Sequence, residues 1–422
     1  MRTKLVVSVL LSFVAVGCAS GGGPPRSDAH TSVSDRVAGW QADLRGLLPA
    51  VRQQHPALAS GVPAALTTEI TALSSRAASL DDDQLMVGVM RLMTHIAPDG
   101  HTGLFVWGEG NRPVHSLPLR WWFYPDGLYV EDGLGSGRGL AGGRVVGIAG
   151  RPLAEVLRLV DPLIPRETPT TTALLRPRYL LVPQVLKGLG LITDVTQVPL
   201  DLLLSDGSRR AVTLSAVPMA AYNEWAGPYG LDHVGRAGVR YLSRADRVLW
   251  HEVIAPRTLY IAYNRAETLD AQELDALRAL AHGNTVDRIV VDIRHNYGGE
   301  VDTDAPLLDL LAEPAVGRAH RLYLLTGRNT FSAGALFAAK LVTRARVTTV
   351  GEPPSSGARS FGNAEQVELE HAGLVVTVAT TTEDAGTPPT AAARPDLPVQ
   401  LTAADYFAGR DRVLQAALDD RR

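Results

Sequence analysis

The chain has 422 residues, 45% of them hydrophobic and 20% charged, with a formal net charge of -3. That is ordinary globular composition, long enough for two or three domains and a sizeable core. No block of basic residues interleaved with aromatics supplies a phosphate-neutralising surface, so nucleic acid is not expected as a partner; lysine occurs only at Lys4, Lys187 and Lys340.

Taken in chain order, residues 1-18 read as an export signal. Arg2 and Lys4 form a positive start, and Leu5 to Val16 is apolar but too short for a typical membrane span. The string A-V-G-C ends on Cys18, the single cysteine of the chain, so no intrachain disulfide can form. It is similar to a bacterial lipobox, with Ala15 in place of the usual leucine; the plainer alternative is a signal peptide with a chance cysteine. Residues 19-32, with S-G-G-G-P-P-R-S-D, read as a flexible tether off the membrane. The lipobox implies a protein exported and lipid-anchored at the cell envelope, on the outer membrane facing the periplasm in a Gram-negative host.

Residues 33-116 carry a helical pattern: Trp40, Leu44, Leu47, Leu48 and Val51 recur at helix spacing, and a second apolar-periodic run spans Leu80 to Met93. This helical cap stops at A-P-D-G-H-T-G-L, which places His101 where a loop enters a strand. Residues 117-218 switch to short alternating runs with D-G turns at Asp126 and Asp206. The stretch Gly143 to Leu159 resembles the strand, turn and helix of a PDZ domain, interrupted afterwards by a helical insertion over 161-195; a β-rich linker without ligand is the alternative. Residues 219-422 alternate strands and helices, an α/β layer pattern: T-L-Y-I-A-Y, then a helix capped by Asp270, then D-R-I-V-V-D-I-R, R-L-Y-L-L-T, F-S-A-G-A-L-F-A-A-K-L-V and V-T-T-V.

Three pieces carry chemistry. In T-G-R-N-T-F-S-A-G a strand ends at Thr326 and a helix begins near Ser332, so its hydroxyl sits at a helix N-terminus where an alkoxide and a developing oxyanion are favoured. The same position is the commonest place for a plain N-cap serine. D-I-R-H-N-Y-G-G ends a buried strand in a turn whose Gly298 and Gly299 let backbone N–H groups approach a carbonyl; one of them, paired with the Ala333 N–H, makes a two-donor oxyanion hole. With F-S-A-G downstream, this pattern resembles the C-terminal processing (tail-specific) peptidases, the tricorn core and their relatives, as do V-G-E-P-P and P-D-L-P-V-Q-L, over roughly residues 85 to 422.

The resemblance implies an α/β fold with a crotonase-like (ClpP-like) core, a peptide or unfolded protein substrate, and Ser332 as nucleophile, with no cofactor and no metal. One branch of the family uses a lysine as base, but its place here is Gly357 or Ala358, and Lys340 lies eight residues along the nucleophile helix, on the order of 12 Å away. The other branch uses a histidine from the N-terminal side, and D-G-H-T-G-L matches it, which makes His101 the base. An imidazole suits that task near pH 7. The glutamate that such relatives carry before the closing P-D is missing from T-P-P-T-A-A-A-R-P-D. Glu352, Glu383 and Asp384 are the substitutes in view, each equally a solvated loop carboxylate. A related fold also serves a retinoid-binding protein without peptidase function, so an inactive peptide- or lipid-binding lipoprotein is the alternative. The anchor reading is checked by fractionation: Cys18→Ser should move the protein from the membrane fraction to the soluble one, and unchanged partitioning would count against lipidation.

Overall fold

The computed structural model describes residues 32–108, 110–227, 235–254 and 256–421. The signal, Cys18 and all of the tether except Ser32 lie outside the described residues. Ser32 belongs to the cap: its hydroxyl accepts the Asp35 N–H and the Asp35 carboxylate accepts the Ser32 N–H, a capping box that starts α1 (Val33–Gln54). The expected apolar stripe, Trp40 to Val51, is the buried face of α1. Helices α2 (Ala64–Ser75) and α3 (Asp82–Met93) complete the cap, α3 starting on a second capping box from Asp81 and Gln84. No helix of the described residues is long and apolar enough to cross a membrane.

After α3 the chain turns through His101 into the two-residue strand β1 (Gly103–Leu104). An antiparallel sheet follows in the order β2 (Leu119–Tyr124), β3 (Gly127–Gly133), β4 (Arg144–Ile148), β5 (Gln197–Leu203), β6 (Arg209–Ser215). Between β4 and β5 lie α4 (Leu153–Val160), the helix of the Gly143 to Leu159 stretch, and then, within residues 161-195, α5 (Pro169–Leu181) and a short helix over Pro183–Gly188.

The remaining half is a mostly parallel sheet. Strand β7 (Leu249–Ile254) pairs antiparallel with β8 (Thr258–Tyr263), and the sheet continues in parallel through β9 (Arg288–Asp292), β10 (Arg321–Thr326) and β11 (Val347–Gly351). After a hairpin of β12 (Arg359–Leu369) and β13 (Leu374–Asp384), β14 (Leu397–Pro398) closes the edge beside β11. Every residue of β8 is buried, as expected of a strand covered on both faces. Helices α6 (Ala271–His282), α7 (Ala305–Ala312) and α8 (Ala333–Arg344) cover one face, and α9 (Arg412–Asp419) the other.

The hairpin departs from the expected boundary. Although it lies within 219-422, its Val367, Leu369, Leu374, Val376 and Val378 join the core of the cap and the antiparallel sheet. Strand β13 pairs with β1, Gly103 against Thr377 and Leu104 against Val376, and the Thr102 hydroxyl accepts the Ala379 N–H at 2.9 Å. The hairpin therefore fixes the loop that carries His101.

A buried ion triad ties the end of β9 to α9. The Arg294 guanidinium donates to Asp292 at 2.6 Å and to Asp411 at 2.7 Å, and lies 4.0 Å over the Tyr241 ring. Asp411 also accepts the Leu414 N–H and so caps α9. Removing the cation leaves two buried carboxylates facing each other, so Arg294→Met should destabilise the fold by roughly 3–5 kcal/mol in urea unfolding; a change under 1 kcal/mol would show that the triad is not a structural tie.

Candidate active site

The turn between β10 and α8 places Ser332 in an unusual backbone conformation, with φ 50° and ψ -129°. Such geometry costs a non-glycine residue energy and persists only where surroundings enforce it. Here three neighbours do so. The Phe331 N–H donates to the Asn296 carbonyl at 3.0 Å, the Ser332 N–H donates to the Ser356 hydroxyl at 3.1 Å, and the Thr330 hydroxyl donates to the Ile293 carbonyl at 2.9 Å. The Ser332 carbonyl accepts the first helical N–H groups, from Ala335 and Leu336, but its side chain makes no capping hydrogen bond. The hydroxyl is not employed as a cap.

Asn296 joins the glycine turn to this serine. Its amide donates to the Tyr263 carbonyl at 3.0 Å while its side-chain oxygen accepts the Gly298 N–H at 2.9 Å. That bond corrects one expectation: the Gly298 N–H is already committed and is not an oxyanion donor. Gly298 serves by lacking a side chain. With φ at 103°, a Cβ there would stand 2.6 Å from the Ser332 Cβ and 2.9 Å from the Ala333 nitrogen, so only glycine lets the turn lie against the nucleophile. Gly299 has φ 136° and packs on Ala266, where a Cβ would meet the Ala266 carbonyl at 2.2 Å. The N–H groups of Gly299 and Ala333 donate to no other group among the described residues.

His101 reaches the same turn from the cap. Its ring stacks on Phe331, the residue before Ser332, with centroids 4.5 Å apart and planes 24° from parallel. Neither ring nitrogen makes a hydrogen bond among the described residues, though both are buried, so the Ser332 hydroxyl and the imidazole are not bonded to each other. Two carboxylates stand beside Nδ1, Asp99 at 3.5 Å and Glu167 at 3.9 Å. Asp99 also accepts the His101 backbone N–H at 2.7 Å. Behind it lies His55, fully buried, whose Nδ1 accepts the Ala57 N–H and whose Nε2 therefore carries the proton bonded to Asp99 at 3.2 Å.

The two acids have opposite electrostatics. Burial pushes the Asp99 carboxyl up, but the close polar approach of the His101 side chain, the hydrogen bond from His55 and the charge of His101 outweigh it and hold Asp99 well below the usual carboxylate range. For Glu167 burial wins: the charge of His101 and the Gly357 N–H offset it only in part, and the carboxyl is pushed up to about 7.

Sequence reasoning missed Glu167 and assigned no role to Asp99 or His55. Asp99 stands two residues before His101 in the same motif, so spacing could have nominated it as an orienting carboxylate. Glu167 sits in the helical insertion and carries no local signal. The substitutes in view lie elsewhere: Glu352 pairs with Arg328 at 2.9 Å, Asp384 pairs with Arg359 at 2.7 Å, and Glu383 accepts from the Thr381 hydroxyl at 2.5 Å. Lys340 pairs with Asp302 and Asp304, away from the serine. Asp99, His101 and Glu167 also offer ligand atoms all within 4.8 Å of one another, a set that a divalent ion could bridge; such an ion would occupy the imidazole.

A strained serine, an imidazole stacked on the residue before it, a buried carboxylate and two uncommitted backbone N–H groups are the parts that nucleophilic acyl transfer requires. Among solved structures, the chain is similar to a serine-to-alanine mutant of CPAF, with 12% identity, 92% of this chain and 99% of that chain covered, and a TM-score of 0.63. Mature CPAF complexed with lactacystin matches at 11% identity over 90% of this chain and 98% of that one, with a TM-score of 0.61. The photosystem II D1 C-terminal processing protease matches at 13% identity over 86% and 93%, with a TM-score of 0.39. No family model and no curated protein matches. The chain is thus structurally similar, at low identity and over most of its length, to the protease group its motifs resemble; at such identity the likeness establishes the fold.

The glycine turn is open to test. Gly298→Ala should lower the unfolding free energy by roughly 1–3 kcal/mol through overpacking, whereas Gly317→Ala, where an added Cβ meets nothing within 4 Å, should leave it unchanged or slightly raised. Equal effects from the two would remove the case for close approach at Gly298.

Proposed function

We propose that this protein is an extracytoplasmic serine peptidase that cleaves peptide or protein substrates through an acyl-enzyme on Ser332. The observation that carries the reading is the strained Ser332 itself: a serine whose side chain caps nothing, held at φ 50° beside a stacked imidazole. In this mechanism the Ser332 oxygen attacks the scissile carbonyl and its proton passes to His101. The negative charge that forms on the carbonyl oxygen is met by the N–H groups of Gly299 and Ala333. Collapse of the intermediate breaks the C–N bond, and the leaving amine takes the proton from His101. Water then attacks the acyl-enzyme with the same residues in reverse order. Asp99 fixes the Nδ1–H tautomer of His101 and supports its charge, the role of an orienting carboxylate; His55 keeps Asp99 ionised and in place.

The antiparallel sheet with its α4 crossover supports a PDZ-like element that would hold peptide beside the site. The leader supports export and anchoring through Cys18, with the tether giving reach from the membrane.

Labelling with a fluorophosphonate tests the nucleophile, because only a hydroxyl activated by a base and facing oxyanion donors reacts quickly. Wild type should be modified stoichiometrically at Ser332, Ser332→Ala not at all, and His101→Ala about 100- to 10,000-fold more slowly. The rate should survive a chelator, since no step uses a metal. A folded wild type that stays unlabelled at neutral pH would abandon the peptidase for a binding protein on the same scaffold.

A further inference from the structure

The helical insertion meets the core in the apolar cluster that Leu174 joins and again, through polar groups, beside Ser332. The segment entering α5 lies along the loop that follows β11. The Thr171 hydroxyl donates to the Ser355 carbonyl at 2.6 Å, and Glu167 accepts the Gly357 N–H at 2.8 Å and the Ser356 hydroxyl at 3.2 Å. Ser356 in turn accepts the Ser332 N–H at 3.1 Å. One side-chain hydroxyl therefore links the strained backbone of the nucleophile to a carboxylate from another layer of the fold. The same carboxylate stands 3.9 Å from His101 Nδ1, and its side chain is only 6% exposed.

We propose that Glu167 is a positioning residue whose ionised carboxylate, delivered by docking of the insertion, holds Ser332 in its reactive conformation through Ser356 and supports the charge that His101 acquires. This rests on the peptidase reading. The ionised form does both tasks best: it accepts both hydrogen bonds without competing as a donor, and it faces a developing imidazolium across a water-poor gap. Its charged and titratable neighbours are few. Asp99 and His101 face it from the cap, with His55 behind Asp99; the core loop presents only Ser356 and Gly357; and on its own segment Arg166 donates to the Asp161 carbonyl.

Burial makes this arrangement costly. Because the carboxyl is raised from 4.5 to about 7 in the folded protein, the folded state holds more protons than the unfolded one across that interval, and ionising Glu167 lowers stability as pH rises through it. Glu167→Gln preserves an acceptor for Gly357 while removing the charge, so activity and stability should move in opposite directions.

The experiment follows Ser332 labelling by a fluorophosphonate from pH 5 to pH 9, with thermal unfolding of the same samples. Wild type should show a rate that climbs with pH more steeply than one ionisation allows. Glu167→Gln should still label, roughly 10- to 100-fold more slowly at pH 8, with a shallower single-ionisation profile and a Tm that gains on wild type between pH 5 and pH 8. Ser356→Ala, which cuts the link and leaves the acid, should slow labelling while keeping the steep profile. A Gln variant with wild-type rates and profile overturns the proposal, as does one that loses rate and Tm together with the steep profile intact. A wild type that never labels sinks the peptidase reading first, which the chelator-treated and untreated wild-type controls reveal before any variant is compared.

Discussion

The backbone of Ser332 is the constraint on which the site depends. A non-glycine residue at φ 50° and ψ -129° costs about 1–3 kcal/mol, so the conformation exists only while its neighbours insist on it. They come from two separate stretches: Asn296 and Gly298 in the turn after β9, and Ser356 after β11. Asn296 is the busiest, receiving the Phe331 N–H on its carbonyl and the Gly298 N–H on its side chain while donating to Tyr263. A Cβ on Gly334 would come within 2.7 Å of it, which ties the small residues of the nucleophile helix to the same contact. The motif spanning Asp292 to Gly299 is thus a single mechanical part. Its Asp and Arg bury the ion triad that stiffens the strand end, its Asn sets the nucleophile loop, and its glycines bring the turn against the serine.

His101, the proposed base, is held by a different route. His101 belongs to the cap, yet its loop is fastened by β1 pairing with the hairpin that rises out of the core. Asp43 on α1 accepts the Ala372 N–H at the hairpin tip at 2.8 Å, so cap and hairpin share one hydrophobic cluster and one polar latch. Ser332 and the His101 ring, stacked on Phe331, are thus brought together by two packed units rather than within one.

Much of this was legible in the chain. The parallel strands read as continuous apolar runs, the cap helix as a stripe from Trp40 to Val51, and Asp270 as the cap it is. Ser332 and His101 stand at the strand-to-helix and loop-to-strand junctions that their local signatures mark. What escaped was whatever depends on direction or on long-range contact. Composition marks Gly298 as permissive but cannot say that its N–H turns toward Asn296. Alternation marks β12 and β13 as strands but not that their apolar face leaves the core for the cap. Glu167 lies 189 residues from Ser356, and no periodicity or spacing relates two segments that meet only because an insertion crosses over the core.

The absent lysine gains a physical account from that meeting. Gly357, one of the two positions matching the lysine of the other branch, gives its N–H to Glu167 at 2.8 Å. The position is turned away from the acid: a Cβ at Gly357 would stand 3.1 Å from the Arg359 carbonyl, so a side chain there starts toward β12 while the N–H faces Glu167. Under the proposed mechanism the two carboxylates beside His101 suit an imidazole, which keeps one nitrogen beside the acids and the other free to take a proton, whereas an ammonium between two acids is held protonated and disabled as a base.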